Sequence, residues 1–267
     1  MKGASGVAAR KAGWPRQSRS AKLAAVTSGE YPNLSRPPLR EAVIDIRLSS
    51  PLPPDFAEKL RMKNFGAFSR IGDVKVGGFQ FQVPEDKPAQ AKVTSEQVLG
   101  GRFENTDQSQ VVLARRDGMT FSVLKNYRDW EHIRDDGREL WRRFLDLSGP
   151  AQVGRVALRY INVIDIPQGE DFDNYLTAAP QVPNGLPQLL GNFFQRIEVP
   201  FSDQNAIAVI TQTLEPPAAV VLDIDVINQD QMDAASSDVW DKLEVLRVIK
   251  NRIFFSSVTA RTVESYR

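Results

Sequence analysis

Short stretches of alternating apolar and polar residues, separated by turn signals, constrain the fold of this chain more than any other feature. In residues 41–48 the even-numbered positions are all apolar, whereas the odd-numbered positions include Glu41, Asp45 and Arg47. This alternation predicts a half-buried strand. Asp117-Gly118 is a strong hairpin signal between two later strands. Further strands are predicted near residues 74–83, 92–104, 109–115 and 119–126, and their short connections favour antiparallel pairing.

Each half of the chain closes with a longer helix that carries tryptophan. In the first half we expect a short helix over residues 55–63 and a long one over 129–147, with Asp129 as its cap. The second half starts with a strand over 155–166 and a short helical region over 171–191. It continues with strands near 193–201, 204–214 and 218–228 and a helix over 237–251 that includes Trp240.

The two halves therefore follow the same order of elements. Val163-Ile164-Asp165-Ile166 in the second half also echoes Val43-Ile44-Asp45-Ile46 in the first. The predicted fold class is α+β, with two pseudo-repeated units of antiparallel strands, residues 31–150 and 151–267, each with a short helix and a long Trp-bearing helix. The helices would cover one face of the sheet. Because Val and Ile are common in strands, the shared tetrapeptide can also arise by chance. One continuous sheet and two packed domains are both compatible with the pattern.

Residues 1–30 differ in composition from the rest of the chain. They carry six Lys or Arg and one Glu, so the remaining residues are mildly acidic. The segment is rich in Ala, Ser and Gly and holds few large apolar side chains, which predicts a disordered basic tail. An organelle presequence and a contact with an anionic surface are the alternatives. Nucleic-acid binding is not expected except through this tail.

The chain contains no cysteine and a single histidine, His132. This composition excludes thiol nucleophiles, disulfides and any metal site that needs Cys or two His from one chain. No apolar run reaches the roughly 20 residues that span a bilayer, so no membrane association is predicted. No catalytic set, metal site or cofactor is predicted. The sequence leaves open whether the protein is an enzyme and favours a non-enzymatic role.

Arg159-Tyr160-Ile161-Asn162 is the most unusual stretch, because polar side chains interrupt a strand that is apolar on both faces. Alternation places Tyr160 and Asn162 on one face and Arg159 and Asp165 on the other. A structural network of buried hydrogen bonds is one interpretation. The functional interpretation is a small anionic ligand bound by Arg159, Tyr160 and Asn162, with Asp165 nearby.

Two further polar groups have structural interpretations. Asp223 and Asp225 project from one face of the 218–228 strand and could hold a cation, but a semi-exposed edge strand is the simpler account. Lys250-Asn251-Arg252 is interpreted as the C-terminal cap of the last helix, where cations and Asn are favoured. The alternative for these three residues is a basic contact with phosphate.

Three segments stand out together by their order and spacing: Pro37-Pro38-Leu39-Arg40-Glu41-Ala42-Val43, residues 158–167 (LRYINVIDIP) and residues 246–259 (LRVIKNRIFFSSVT). They resemble those of a sporadically distributed, functionally uncharacterised family of prokaryotic proteins. The resemblance covers roughly residues 31–260. It implies a bacterial or archaeal cytoplasmic protein and supplies no activity or catalytic residues. The patchy distribution of the family suits an accessory role, such as genome defence or a toxin–antitoxin-like pairing.

Two functional hypotheses follow from the sequence. The first is a binding or interaction protein whose partner is another protein or a second copy of this chain, because an ordered α+β chain lacks a catalytic set. The second is an enzyme or sensor for a small anionic ligand that uses the strand of Arg159. The second hypothesis requires these side chains to converge on one cavity.

Overall fold

A computed structural model describes residues 31–61, 63, 65–82, 90–188 and 190–267, with backbone alone for residues 78–82 and 90–95. The predicted disordered tail, residues 1–30, lies outside this part of the chain. Within it, ten strands form a single sheet in the order β2-β3-β4-β5-β1-β6-β9-β8-β7, and β10 pairs with β6. The strands are Leu39–Leu48 (β1), Ser69–Gln82 (β2), Gln90–Glu104 (β3), Gln110–Arg115 (β4), Gly118–Val123 (β5), Gln152–Asp165 (β6), Phe194–Phe201 (β7), Ala206–Glu215 (β8), Ala219–Asn228 (β9) and Met232–Asp233 (β10).

The described segments also contain four helices. These are Asp55–Arg61 (α1), Trp130–Ser148 (α2), Asp238–Ser257 (α3) and Ala260–Ser265 (α4). All strand pairs are antiparallel, so the α+β class is confirmed. None of the helices in the described ranges is both long and apolar enough to cross a membrane.

The hairpin predicted at Asp117-Gly118 joins β4 and β5. Gly118 has a φ of 135°, a backbone conformation that residues with a side chain rarely adopt. A Cβ at this position would lie 2.0 Å from the carbonyl oxygen of Ile46 on β1. Glycine is therefore required both by the backbone conformation and by the close approach of the neighbouring strand.

The long helices pack on the same face of the sheet. The Cβ position of Gly137 on α2 lies 3.1 Å from Ile44 of β1 and 3.6 Å from Trp240 of α3, so both helices meet over the centre of the sheet. The indole of Trp141 on α2 donates a hydrogen bond of 2.8 Å to the carbonyl of Ala234. Because β1 and β6 pair directly, one apolar core continues across both halves of the chain.

Three predictions about local structure are wrong. Residues 171–188 hold a single 3₁₀ turn, Phe172–Asn174, instead of a helical region, since the prolines there interrupt regular structure. The strand of Asp223 is not an edge strand, because β9 lies between β6 and β8. Helix α3 does not end near Lys250 but continues to Ser257, because Ile253 and Phe254 in its last turns are buried in the core.

Candidate functional site

A cavity of about 410 Å³ lies between the start of β1, the start of α2, β6 and the second half of α3. We call it the Lys250 cavity. Its volume falls in the range of small-molecule sites, roughly 300–1,000 Å³. Three of its walls are formed by residues 31–34 and 37–39, by residues 127–131, and by Tyr160 and Asn162 of β6. The fourth consists of Arg247, Lys250, Asn251, Phe254 and Phe255 of α3.

Lys250 occupies a position in α3 that faces the core. It follows Leu246 by four residues, and both residues therefore lie on the same side of the helix. Its ammonium nitrogen lies 3.8 Å from the centroid of the Tyr160 ring, a cation–π contact. No carboxylate of the described residues lies within ion-pair distance of this nitrogen. Because the helix continues beyond it, the interpretation of Lys250 as a helix cap is wrong.

Burial has a large effect on the charge of this lysine. The surrounding protein lowers the pKa of Lys250 from 10.5 to about 7, and the neighbouring Arg247 guanidinium adds to the effect. The ring of Tyr160 acts in the opposite direction, because a cation–π contact favours the ammonium form. The amine can therefore gain or lose its proton near neutral pH, and an anion placed beside it would favour the charged form.

Arg247 is the second cation of the cavity and lies one helical turn before Lys250. Its guanidinium carbon lies 6.0 Å from the centroid of the Trp130 ring. The nearest carboxylate oxygens belong to Glu244 and Glu131, at 3.6 and 3.9 Å. These distances are longer than hydrogen bonds. Arg247 therefore retains hydrogen-bonding capacity for a ligand.

Tyr160 and Asn162 are held firmly in the cavity wall. The hydroxyl of Tyr160 lies 3.2 Å from that of Tyr127, and burial raises the pKa of Tyr160 well above its ordinary value of 10. The amide nitrogen of Asn162 donates to the carbonyls of Tyr160 and Leu222, at 3.3 and 3.1 Å. The side chain of Asn162 thus satisfies backbone groups, as the structural interpretation of this stretch expects.

The four residues proposed from sequence do not converge on one site. Tyr160 and Asn162 line the Lys250 cavity, whereas Arg159 lies on the opposite face of the sheet and forms two hydrogen bonds with Asp223, at 2.8 and 2.6 Å. Asp165 lines a separate cavity of about 450 Å³ near Arg261 and Tyr266. The alternation of a strand separates Arg159 from Tyr160, so a shared site was incompatible with the predicted strand itself.

The face of the sheet opposite the helices carries a charge network centred on Asp45. Its carboxylate contacts Arg47, Arg115 and Arg155 and accepts a hydrogen bond from Thr120. Burial alone would raise the pKa of Asp45, but these cations and this hydroxyl outweigh it, and the pKa is lowered. Arg115 is almost fully buried. Asp117 pairs with Arg47 and Arg115, and Asp225 lies 3.8 Å from Arg155, so the network holds three carboxylates and three guanidinium groups and is balanced in charge.

Sequence reasoning named Tyr160 and Asn162 and considered a phosphate contact for Lys250, but it missed Arg247 and the aromatic residues that complete the cavity. Lys250 interrupts the apolar stripe of Leu243, Leu246 and Ile253. A lysine at an apolar position of a helix is the signal that could have identified Lys250 as a cavity residue. The described residues contain no group of three or more acidic or histidine side chains arranged to hold a metal ion. Asp223, considered as a ligand, is instead paired with Arg159.

Comparisons with protein-family models, with curated proteins and with solved structures found no match.

Proposed function

We propose that the protein binds a small molecule with an anionic group in the Lys250 cavity. The observation that carries this proposal is the position of the Lys250 ammonium in the cavity wall, on the ring of Tyr160 and without a carboxylate partner among the described residues. An unpaired lysine in a partly buried position is costly, and an anionic ligand would supply the missing countercharge.

Two features narrow the class of ligand. Arg247 lies on the same helix face as Lys250 and offers a planar set of donors, which suits a carboxylate or a phosphate. The remaining walls include the aromatic rings of Tyr31, Trp130 and Phe254. Flat apolar surfaces of this kind favour a planar ligand. The proposed ligand is therefore a small planar molecule that carries a carboxylate or a phosphate.

A matched set of probes tests this proposal. Benzoate, benzyl alcohol and benzylamine share a ring and differ in charge, and their binding can be followed by ligand-observed NMR at pH 6.5. We expect saturable binding of benzoate, weaker binding of benzyl alcohol and none of benzylamine. Lys250→Met should abolish the preference for benzoate. Lys242→Met is the control, because Lys242 lies on the same helix but pairs with Asp230 outside the cavity.

Equal binding of the three probes, or an unchanged preference in Lys250→Met, would overturn the proposal. Lack of binding of both benzoate and adenosine monophosphate to the unmodified protein would also overturn it. Native mass spectrometry of the purified protein supplies a further test, because a retained small anion should be absent from the Lys250→Met variant.

A protein-interaction role is the second candidate, and the exposed side chains of Phe194 and Ile197 on β7 favour it. Membership of the sporadically distributed prokaryotic family, with a cytoplasmic accessory role, stays a prediction from the three segments named above. A pulldown from the native host separates the two candidates. A stoichiometric protein partner supports the interaction role, and a retained small molecule supports ligand binding.

We also infer that the two halves are pseudo-repeats. In the first half β5 returns to pair with β1, and in the second half β9 returns to pair with β6. A long helix follows the returning strand in each case, α2 after β5 and α3 after the β9–β10 segment. This shared connectivity supports a duplication. Superposition of the backbones of residues 31–150 and 151–267 tests it, and a poor fit of the shared strands would overturn it.

A further inference from the structure

Strand β7 forms one end of the sheet, and its outer edge has no strand partner among the described residues. Phe194 is 70% exposed and Ile197 is 45% exposed on this strand. An edge strand with free backbone groups and exposed apolar side chains is a site where another strand can be added.

The hydrogen bonds of β7 determine which backbone groups are free. The amide of Leu214 on β8 donates to the carbonyl of Phe193 just before β7, so the odd-numbered residues of this segment face β8. Because backbone groups alternate along a strand, Phe194, Arg196, Glu198 and Pro200 direct theirs toward the free edge. Pro200 fits this arrangement, since its nitrogen has no hydrogen to donate to β8.

The charges of β7 are self-complementary. Arg196 and Glu198 project from the same face of the strand and form an ion pair of 2.7 Å with each other. If two copies of β7 pair antiparallel around Ile197, each Arg196 lies opposite the Glu198 of the other copy. Pairing centred on Arg196 or on Glu198 would instead place like charges opposite each other, which is destabilising.

We propose that β7 pairs with β7 of a second copy of this chain, in the antiparallel register centred on Ile197. Arg196 of each copy exchanges two backbone hydrogen bonds with Glu198 of the other copy. The side chains of these residues form two ion pairs across the interface. The two Ile197 side chains meet on the opposite face at the twofold axis. This arrangement joins the two sheets into one and removes both free β7 edges.

The absence of cysteine from the chain allows a direct test by disulfide cross-linking. In the proposed register Ile197 lies opposite Ile197 of the second copy. These two residues form no backbone hydrogen bonds with each other, and the Cα atoms of such a pair lie about 4.5 Å apart. This distance permits a disulfide. Ile197→Cys in the full chain should therefore form a covalent dimer under mild oxidation. Gln195→Cys is the matched control, because the two copies of residue 195 would lie about 13 Å apart along the strands.

Charge reversal tests the register independently of cross-linking. We expect the protein to be a dimer by analytical ultracentrifugation at about 50 µM, the single variants Arg196→Glu and Glu198→Arg to be monomers, and the double variant to regain the dimer. Arg61→Glu, on a surface pair with Glu58, should leave the dimer intact. Circular dichroism confirms that each variant is folded.

Three results would overturn the proposal. These are a monomer at all concentrations up to about 100 µM, a dimer that persists in both single reversals, and equal cross-linking of the Ile197→Cys and Gln195→Cys variants. The first would also favour addition of a strand from a different protein. None of these results affects the ligand proposal, since β7 and the Lys250 cavity share no residue.

Discussion

Replacing Lys250 by methionine should stabilise the protein while abolishing anion binding. The side chain of Met has a similar length and no charge, so the packing of α3 is largely kept while the cost of the buried ammonium is removed. A residue whose removal raises stability and eliminates binding is retained for function rather than for folding.

The expected gain in stability follows from the lowered pKa of Lys250. A decrease of this pKa from 10.5 to about 7 corresponds to a cost of about 5 kcal/mol for the buried ammonium, at about 1.4 kcal/mol per factor of ten in proton binding. The cation–π contact with Tyr160 offsets about 1–2 kcal/mol of this cost. We therefore expect Lys250→Met to raise the free energy of unfolding by about 3 kcal/mol at pH 7.

The dependence on pH provides a second signature. The unfolded chain binds the proton of Lys250 more tightly than the folded protein, so the cost is fully present below about pH 7 and declines as the pH rises toward 10.5. Because the cation–π contact favours the protonated amine, the decline begins above pH 7, and between pH 7 and pH 9 the free energy of unfolding of the unmodified protein should rise by about 1 kcal/mol relative to the Lys250→Met variant. An anionic ligand should bind most tightly below pH 7 and lose affinity above it.

Urea denaturation followed by tryptophan fluorescence, at several pH values between 6 and 9, measures both effects. Lys242→Met is the matched control on the same helix, and it should change stability by less than about 1 kcal/mol without a comparable pH dependence. A Lys250→Met variant that is less stable than the unmodified protein, or a stability difference that does not change with pH, would refute the reasoning.

Two further predictions concern the sheet. Gly118→Ala should prevent folding, because its Cβ would collide with the carbonyl of Ile46. Gly72→Ala is the control and should be tolerated, because there is open space around its Cβ position. Soluble yield and circular dichroism distinguish the two variants. Asp45→Asn should cost about 2–3 kcal/mol at pH 7, since it removes the carboxylate that Arg47, Arg115 and Arg155 share and leaves the buried guanidinium of Arg115 with Asp117 as its remaining carboxylate partner. Because the pKa of Asp45 is lowered in the fold, this contribution is present above about pH 4 and is lost as the pH falls through the folded value, so the variant should show a flatter acid unfolding profile.

Local patterns were sufficient to predict most of the elements. The alternation in residues 41–48 corresponds to β1, and the Asp117-Gly118 signal corresponds to the β4–β5 hairpin. Asp129 caps α2 as the sequence predicts, since its side chain accepts a hydrogen bond from the amide of His132. These features depend on neighbouring residues, and for that reason one sequence is enough to reveal them.

The cavity could not be predicted in the same way. Tyr31, Tyr160 and Lys250 are each separated by about ninety residues or more in the chain, and only the packing of α3 on β6 brings the last two together. The end of α3 was misplaced because Lys250 and Asn251 are typical of helix caps, whereas burial of Ile253 and Phe254 extends the helix. Tertiary packing overrides the local signal at this position.

The segment before β1, which supplies residues 31–34 to the wall of the Lys250 cavity, also contacts α3 and the residues after α4. The ring of Tyr31 stacks on Phe255 at 4.5 Å, and the amide of Arg36 donates to the carbonyl of Tyr266. Removing residues 264–267 would leave every strand intact and yet take away the backbone partner of Arg36, which lies between the cavity residues 31–34 and β1. Their deletion should therefore loosen this wall and weaken binding of the proposed ligand without altering the melting of the sheet.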